Sequence, residues 1–131
     1  MSACLDKIKG FLAELNLPVV HEDTDDELVI VDDEESGIKD LIIDCEDPVL
    51  IIEQLIMPVP EGSSMEFYRS LLQMNGTLVH GAFVLDEEGK HVFFRDTLQL
   101  ENLDRNELEA SIRALSLALA EYADDLIALS K

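Results

Sequence analysis

The first hydrophobic pattern in the chain is a helical one close to its N-terminus. Four apolar residues recur at intervals of three and four positions and therefore share one face of a helix: Leu5, Ile8, Leu12 and Leu15. Pro18 follows soon afterwards, and the residue before a proline is disfavoured in helical geometry. The pattern predicts an amphipathic helix from about residue 3 to residue 15.

From residue 19 to residue 56 the pattern changes to short runs of β-branched and aliphatic residues. The runs lie at residues 19–20, 28–31, 41–43 and 49–56, and turns rich in Asp, Glu, Gly and Pro separate them. The first two runs predict a hairpin. The later two predict either two more strands or one bent strand and its partner, so this region holds three or four strands.

The second half of the chain repeats helix, hairpin and helix. A helix is predicted to open with a capping box at Ser63 and Glu66 and to end at Gly76 in left-handed geometry. Strands at residues 79–85 and 92–100 flank a turn at residues 86–90. A long helix then follows a second capping box at Asp104 and Glu107 and runs to about residue 129.

These elements predict an α+β fold in which helices pack on an antiparallel sheet. Its length of 131 residues fits one domain spanning residues 1–131. The last helix is apolar almost all round between residues 115 and 120, which is typical of a helix buried on more than one side.

The net charge of the chain limits the classes of partner that it is expected to bind. It holds 29 acidic residues against 9 Lys and Arg, for a net charge of −20, and residues 1–62 carry most of the excess. Nucleic acids and anionic membranes both need a cationic surface, so neither is an expected partner. No secretory signal or membrane span is recognised, and we expect a cytoplasmic protein in which Cys4 and Cys45 are reduced, packed thiols.

Few residues in the sequence suggest a catalytic or metal-binding site. His80 and His91 lie on opposite arms of the second hairpin, and with Leu85 opposite Val92 the two rings are about 20 Å apart, too far to share a metal ion. The acidic stretch of residues 22–35 resembles a calcium loop, but Leu28 stands where the loop needs glycine. Motifs for nucleophilic catalysis and phosphate binding are missing. We therefore expect no enzyme activity, no cofactor and no metal ligands.

Binding to another protein is the remaining class of function. The acidic residues around the early strands are either a solvated guard against aggregation or a rim around strands that receive an extended partner segment. Three apolar helices offer more apolar surface than one sheet needs, which favours a homodimer.

Several segments of the second half resemble class I type III secretion chaperones of the Tir-chaperone kind, and the related YbjN-like family. The shared features are a helix ending in Leu-Leu-x-x-Asn (Leu71 to Asn75), a hairpin with an Asp-x-x-Gly turn (Asp86 to Gly89), and a long C-terminal helix opening at Leu103-Asp104. The order α-β-β-β-α-β-β-α of that family agrees with the predicted elements.

The resemblance implies a cytoplasmic homodimer that binds an extended segment of a secreted effector without ATP and without catalysis. It implies a dimer interface on the second helix, through Met65, Tyr68 and Leu72. It also implies client contacts on the first helix and the early strands: Ile8, Phe11, Val29, Val31 and Ile42. A YbjN-like regulatory or stability factor and an acidic protein that binds divalent cations are the alternatives.

Overall fold

The computed structural model describes residues 3–131. In chain order the elements are α1 (Ala3–Glu14), β1 (Val19–Asp23), β2 (Leu28–Asp33), β3 (Ile38–Glu46), β4 (Val49–Pro58), α2 (Met65–Asn75), β5 (Ala82–Leu85), β6 (His91–Gln99) and α3 (Arg105–Leu129). The predicted α+β class is confirmed. Four strands separate the first two helices, the larger of the two numbers that the sequence allowed.

The six strands form one antiparallel sheet in the order β1-β2-β3-β4-β6-β5. Short turns join β1 to β2, β2 to β3, β3 to β4, and β5 to β6, so each of these pairs is an antiparallel neighbour. The segment containing α2 carries the chain from β4 to the far edge, where β5 forms, and β6 then returns between β4 and β5. The two edge strands are therefore β1 and β5.

The helices pack on one face of this sheet, which we call the helical face. Val29 of β2, Ile43 of β3 and Ile52 of β4 lie side by side across the strands and are fully buried. They share a core cluster with α1 and α3 residues such as Leu12 and Leu115. Burial of these aliphatic side chains, at about 25 cal/mol per Å², is the main force that holds both helices against the sheet.

A second cluster fixes α2 beside the C-terminal half of α3. Phe67, Leu71 and Met74 recur along the inner face of α2, and they pack against Phe83 of β5 and Leu126 of α3. This cluster lies on the helical face too, because Phe83 pairs with Phe94, which belongs to the first cluster.

The two cysteines are not the free thiols that we expected. Cys4 at the start of α1 and Cys45 near the end of β3 form a disulfide, with their Cα atoms 6.4 Å apart. Packing of α1 over the early strands brings the cysteines into bonding range, although 41 residues separate them in the sequence. The disulfide links the first helix covalently to the middle of the sheet.

The capping box predicted at the start of α2 is wrong, and at its end Gly76 is the C-cap residue as predicted but without the left-handed geometry. The Ser63 hydroxyl donates to the carbonyl of Pro60 at 2.6 Å instead of capping the helix, and Ser64 is the N-cap residue. Gly76 is right-handed, with φ of −64°, because the chain continues for another turn before it leaves the helix. The capping box of α3 is confirmed, since the Asp104 N–H donates to Glu107 Oε1 at 3.3 Å.

The hairpin of β5 and β6 has the predicted register, with Leu85 opposite Val92. Its strand β5 is shorter than predicted and begins at Ala82, so His80 lies before it. Gly81 marks the start: its φ is +74°, and a Cβ there would lie 2.3 Å from Phe94 Cζ. The side chain of Phe94 occupies that space, which excludes any residue larger than glycine.

Candidate functional site

The outer face of α2 carries a stripe of exposed apolar side chains. Met65, Tyr68 and Leu72 fall three and four positions apart, and their exposed fractions are 74%, 38% and 70%. The opposite face of the same helix is buried. The structure therefore brings the three residues of the predicted dimer interface together on one accessible surface, which we call the α2 stripe.

Two side chains secure the end of α2 against the sheet. The Asn75 carboxamide accepts a hydrogen bond from the Phe83 N–H (2.7 Å) and donates one to the Phe83 carbonyl (3.1 Å). Both backbone groups belong to the edge strand β5, so Asn75 closes that edge where a further strand could pair. Thr77, just beyond the helix, hydrogen-bonds to Tyr122 of α3. The α2 stripe is thus presented on a fixed helix.

Three of the five residues predicted to contact a client are buried. Ile8, Val29 and Val31 are fully buried in the first core cluster. Their side chains point to the helical face, where α1 and α3 cover them, and this corrects the expected client surface. Phe11 is half-buried, with Lys7 Nζ 5.8 Å from its ring centroid, and Ile42 is half-buried on the opposite face of the sheet.

That opposite face is uncovered by helices in the part of the chain that the structure describes, and we call it the open face. It carries aliphatic and aromatic side chains that are half-buried and belong to neither core cluster. The pairing of the strands places these side chains on one surface: Ile30, Ile42, Ile51, Val84 and Phe93. Of this set, the sequence had singled out Ile42 alone.

Asp44 lies on the open face, between Leu28 of β2 and Ile51 of β4. Burial raises the pKa of its carboxyl to about 6, and the nearby carboxylates of Glu46, Asp26 and Glu53 add to the rise. Its Oδ1 atom is buried without a hydrogen-bond partner among residues 3–131. An unpaired carboxylate oxygen among apolar side chains costs free energy unless a cation or a donor reaches it.

A further exposed apolar pair lies between α3 and the loop after α2. Val79 and Leu117 are exposed by 85% and 62%, and both line the same shallow groove. Leu117 lies in the part of α3 that the sequence shows to be apolar almost all round. Val79 was assigned to a strand, and only the later start of β5 leaves it on the surface.

Among residues 3–131, the remaining titratable groups form pairs and turns and are not gathered into a cluster that suggests chemistry. His91 Nδ1 lies 2.8 Å from Asp86 Oδ2, as the predicted hairpin register required, and this contact lowers the pKa of Asp86. In the acidic turn, Asp23 Oδ1 accepts the backbone N–H of Asp26 at 3.0 Å. Within the described range, no group of three or more His, Cys, Asp or Glu side chains is arranged to hold a metal ion.

Known structures with the same fold include bacterial secretion proteins. YbjN of E. coli, named as a candidate transcription regulator, matches with a TM-score of 0.70 and 14% identity over 92% of both chains. The ExoU–SpcU complex of the Pseudomonas aeruginosa type III secretion system contains a chain with a TM-score of 0.70 and 18% identity, over 95% of this chain and 98% of that one.

The Yersinia pestis type III secretion chaperone SycH, solved with a fragment of YscM2, matches with a TM-score of 0.56 and 14% identity over 98% of this chain and 100% of that one. No curated protein sequence matches the chain. No helix within residues 3–131 is long and apolar enough to cross a membrane. The model of the type III chaperone family CesT_Tir_1 matches residues 1–131, and the chain therefore belongs to that family.

Proposed function

We propose that the protein is a non-enzymatic, ATP-independent chaperone that binds an extended segment of a partner protein in the cytoplasm. Membership of the CesT_Tir_1 family along the whole chain is the observation that carries this proposal. Two proteins with the same fold, SpcU and SycH, were solved in complexes with a second protein. A secreted effector is the partner that this family suggests.

The distribution of apolar side chains supports partner binding. A protein that binds an extended segment needs apolar surface that its own core does not use. The chain has such surface in two places, the open face of the sheet and the exposed residues of the helices. Phe11 and Ile42 are the members of the predicted client surface that remain accessible, one on each side of the sheet.

We also propose that the protein is a homodimer that pairs through the α2 stripe. Two copies of a chain with a net charge of −20 repel each other over most of their surface. The helix α2 is different, because its one acidic residue, Glu66, forms an ion pair with its one basic residue, Arg69. An apolar stripe on an electrically neutral helix is the surface on which two copies can meet with little repulsion.

The dimer is tested by sedimentation equilibrium at micromolar concentration. We expect a mass near twice 14.6 kDa for the natural chain and a monomer for Leu72→Glu, because the substitution places a charge in the interface. Leu117→Glu is the matched control, since Leu117 is similarly exposed on another helix. A natural chain that sediments as a monomer, or equal masses for both variants, contradicts this interface.

The partner is tested by affinity capture from the native cells at low and high salt, with the product of the neighbouring gene as the first candidate. Apolar contacts should retain the partner at high salt, since salt screens only the ionic part of binding. If no protein is recovered under either condition, chaperone function loses its support.

The fold similarity to YbjN favours one second candidate, a regulatory or stability factor that acts through other protein partners. Direct regulation by DNA binding is disfavoured by the net charge of −20. Fluorescence anisotropy with a labelled DNA duplex at low salt distinguishes regulation by DNA binding from regulation through protein partners. We expect no binding, and saturable binding contradicts that expectation.

A further inference from the structure

The open face is unusual for a sheet surface that its own chain leaves uncovered. Antiparallel sheets that face water on one side normally alternate apolar and polar residues. In β2, β3 and β4 the open face carries large apolar residues among its charged ones, so that Ile30, Ile42 and Ile51 stand on this face while their neighbours in sequence fill the core. Apolar side chains on both sides are typical of a sheet covered on both sides.

Acidic side chains outnumber basic ones on this face. Asp44 and Glu46 follow each other along β3, two positions apart and so on the same side, and Glu53 stands opposite Ile42 on β4. The cation facing them is Arg95 of β6, opposite Glu53, with 3.9 Å between the guanidinium and the carboxylate. Asp44 is left with a buried oxygen that has no partner within residues 3–131.

We propose that the open face binds an extended partner segment whose inward-facing side chains, at every second position, are in turn apolar and Lys or Arg, and that Asp44 receives one of these cations. The inference rests on the proposed function and specifies the chemistry of the segment. Side chains on one side of an extended segment are about 7 Å apart, which matches the spacing of Ile42 and Asp44 along β3. An apolar residue can therefore contact Ile42 and the adjacent Ile51 while the next inward-facing residue, a cation, reaches Asp44. Ion pairing then satisfies the oxygen that the free protein leaves without a partner.

A second copy of this chain is a poor occupant of the same face. In a twofold contact the same surface patch of both copies forms the interface. Two open faces would bring Asp44, Glu46 and Glu53 of one copy close to the same acids of the other, and like charges at close range oppose association. The α2 stripe lies on the helical side of the sheet, so a dimer through α2 leaves the open face available.

The probe is a fluorescein-labelled peptide of nine residues in which the odd positions carry Val and Lys in turn and the even positions carry Thr; we call it the alternating peptide and measure its binding by fluorescence anisotropy. Two peptides serve as controls, one with Glu in place of Lys, and one with the same composition but with the apolar residues in a single block. We expect saturable binding of the alternating peptide and about tenfold weaker binding of both controls, because each removes either the charge match or the apolar match.

Variants of the protein locate the site. Asp44→Asn and Ile51→Lys should each weaken binding of the alternating peptide about tenfold. Asp124→Asn is the matched control, since it removes one negative charge from an exposed position on α3, and it should leave the affinity unchanged. Circular dichroism of every variant checks that the fold is retained.

Three outcomes overturn the proposal. Equal affinity for the alternating and the block peptide, or an equal loss in Asp44→Asn and Asp124→Asn, shows attraction to the net charge alone. If Ile51→Lys converts a dimer into a monomer, the open face is an interface between copies. None of these outcomes bears on the capture of a native partner. The result for the proposed function is therefore independent of the result for this inference.

Discussion

Asn75 shows how one side chain can fix both a helix and a sheet edge. Its carboxamide makes two hydrogen bonds to the backbone of Phe83, and thereby replaces the strand that would otherwise pair with β5 there. The residue ends the Leu-Leu-x-x-Asn motif, and the structure supplies a physical reason for asparagine at that position. Only a side chain with a donor and an acceptor side by side can satisfy an N–H and a carbonyl of the same residue.

Asn75→Ala should therefore destabilise the protein by about 1–3 kcal/mol, since it leaves two backbone groups of Phe83 without partners. The substitution improves helix propensity, so a loss of stability cannot be attributed to the helix itself. Urea unfolding measures the change in free energy. Asn106→Ala, at an exposed position in the first turn of α3, is the control and should change stability by less than about 0.5 kcal/mol. Equal effects in the two variants would contradict the anchoring role.

Asp44 should make stability depend on pH. Its pKa is about 6 in the folded protein and lies near its ordinary value of 3.8 when the chain unfolds, so the folded state binds the proton more tightly. The carboxyl therefore contributes most to stability below about pH 4. That contribution is lost as the pH rises towards 6, where the folded protein must bear the charge.

Asp44→Asn removes this cost, because the amide stays neutral. We expect the variant to be more stable than the natural chain by about 1 kcal/mol at pH 8, less than the pKa difference alone implies since solvent reaches part of the carboxylate. The two proteins should be equally stable near pH 4. Urea unfolding across this pH range measures the difference, and a gap that is independent of pH would show that the carboxyl is not the cause.

The apolar runs of the early strands explain why some residues predicted to contact a client are buried in the structure. Residues 28–31 are four consecutive apolar positions, so the alternation that normally separates core from surface is absent. Val29 and Val31 face the helices, and Ile30 faces the open side, because the packing of α1 and α3 selects one side of the sheet. That choice depends on contacts distant in sequence, which a local pattern does not contain.

At the scale of elements, periodicity predicted the helices and the second hairpin well, because each has one clearly apolar face. Helix ends were predicted less well. The capping box at Ser63 failed since its hydroxyl donates to the Pro60 carbonyl. The same kind of signal succeeded at Asp104, whose carboxylate only accepts hydrogen bonds and so cannot bond to a carbonyl. A capping signal thus depends on what else the side chain can reach.

The element that depends most on a single bond is α1. The Cys4–Cys45 disulfide joins it to β3 across 41 residues, and closing a loop of that length in the unfolded chain contributes about 3–4 kcal/mol. A reductant should lower the free energy of unfolding of the natural chain by about this amount. The double variant Cys4→Ala with Cys45→Ala should be unaffected by the reductant, which separates loss of the bond from loss of packing.

A thiol assay in denaturant, performed on protein taken directly from the cell, tests whether the bond is present there. Disulfides are rare in reducing compartments, where we expect this protein to act. Two reactive thiols would show that α1 is held by packing alone in its native setting. No reactive thiols would show that the bond forms before extraction.

At the scale of the whole molecule, the net charge of −20 opposes the compact state. Folding brings the carboxylates closer together than they are in the unfolded chain, and only 9 basic residues are available to offset them. Most ion pairs are at the surface, where each contributes less than about 1 kcal/mol. Repulsion therefore acts over the whole surface and is not cancelled locally.

Raising the ionic strength from about 0.02 M to about 0.5 M should then stabilise the protein, because the screening length falls from tens of ångströms to a few. We expect the unfolding midpoint in urea to rise with sodium chloride at pH 8. The rise should shrink near pH 4, where many carboxylates are protonated and little repulsion remains to be screened. A salt effect of the same size at both pH values would point to apolar burial, which salt also strengthens. Repulsion between carboxylates would then destabilise the folded protein less than the net charge suggests.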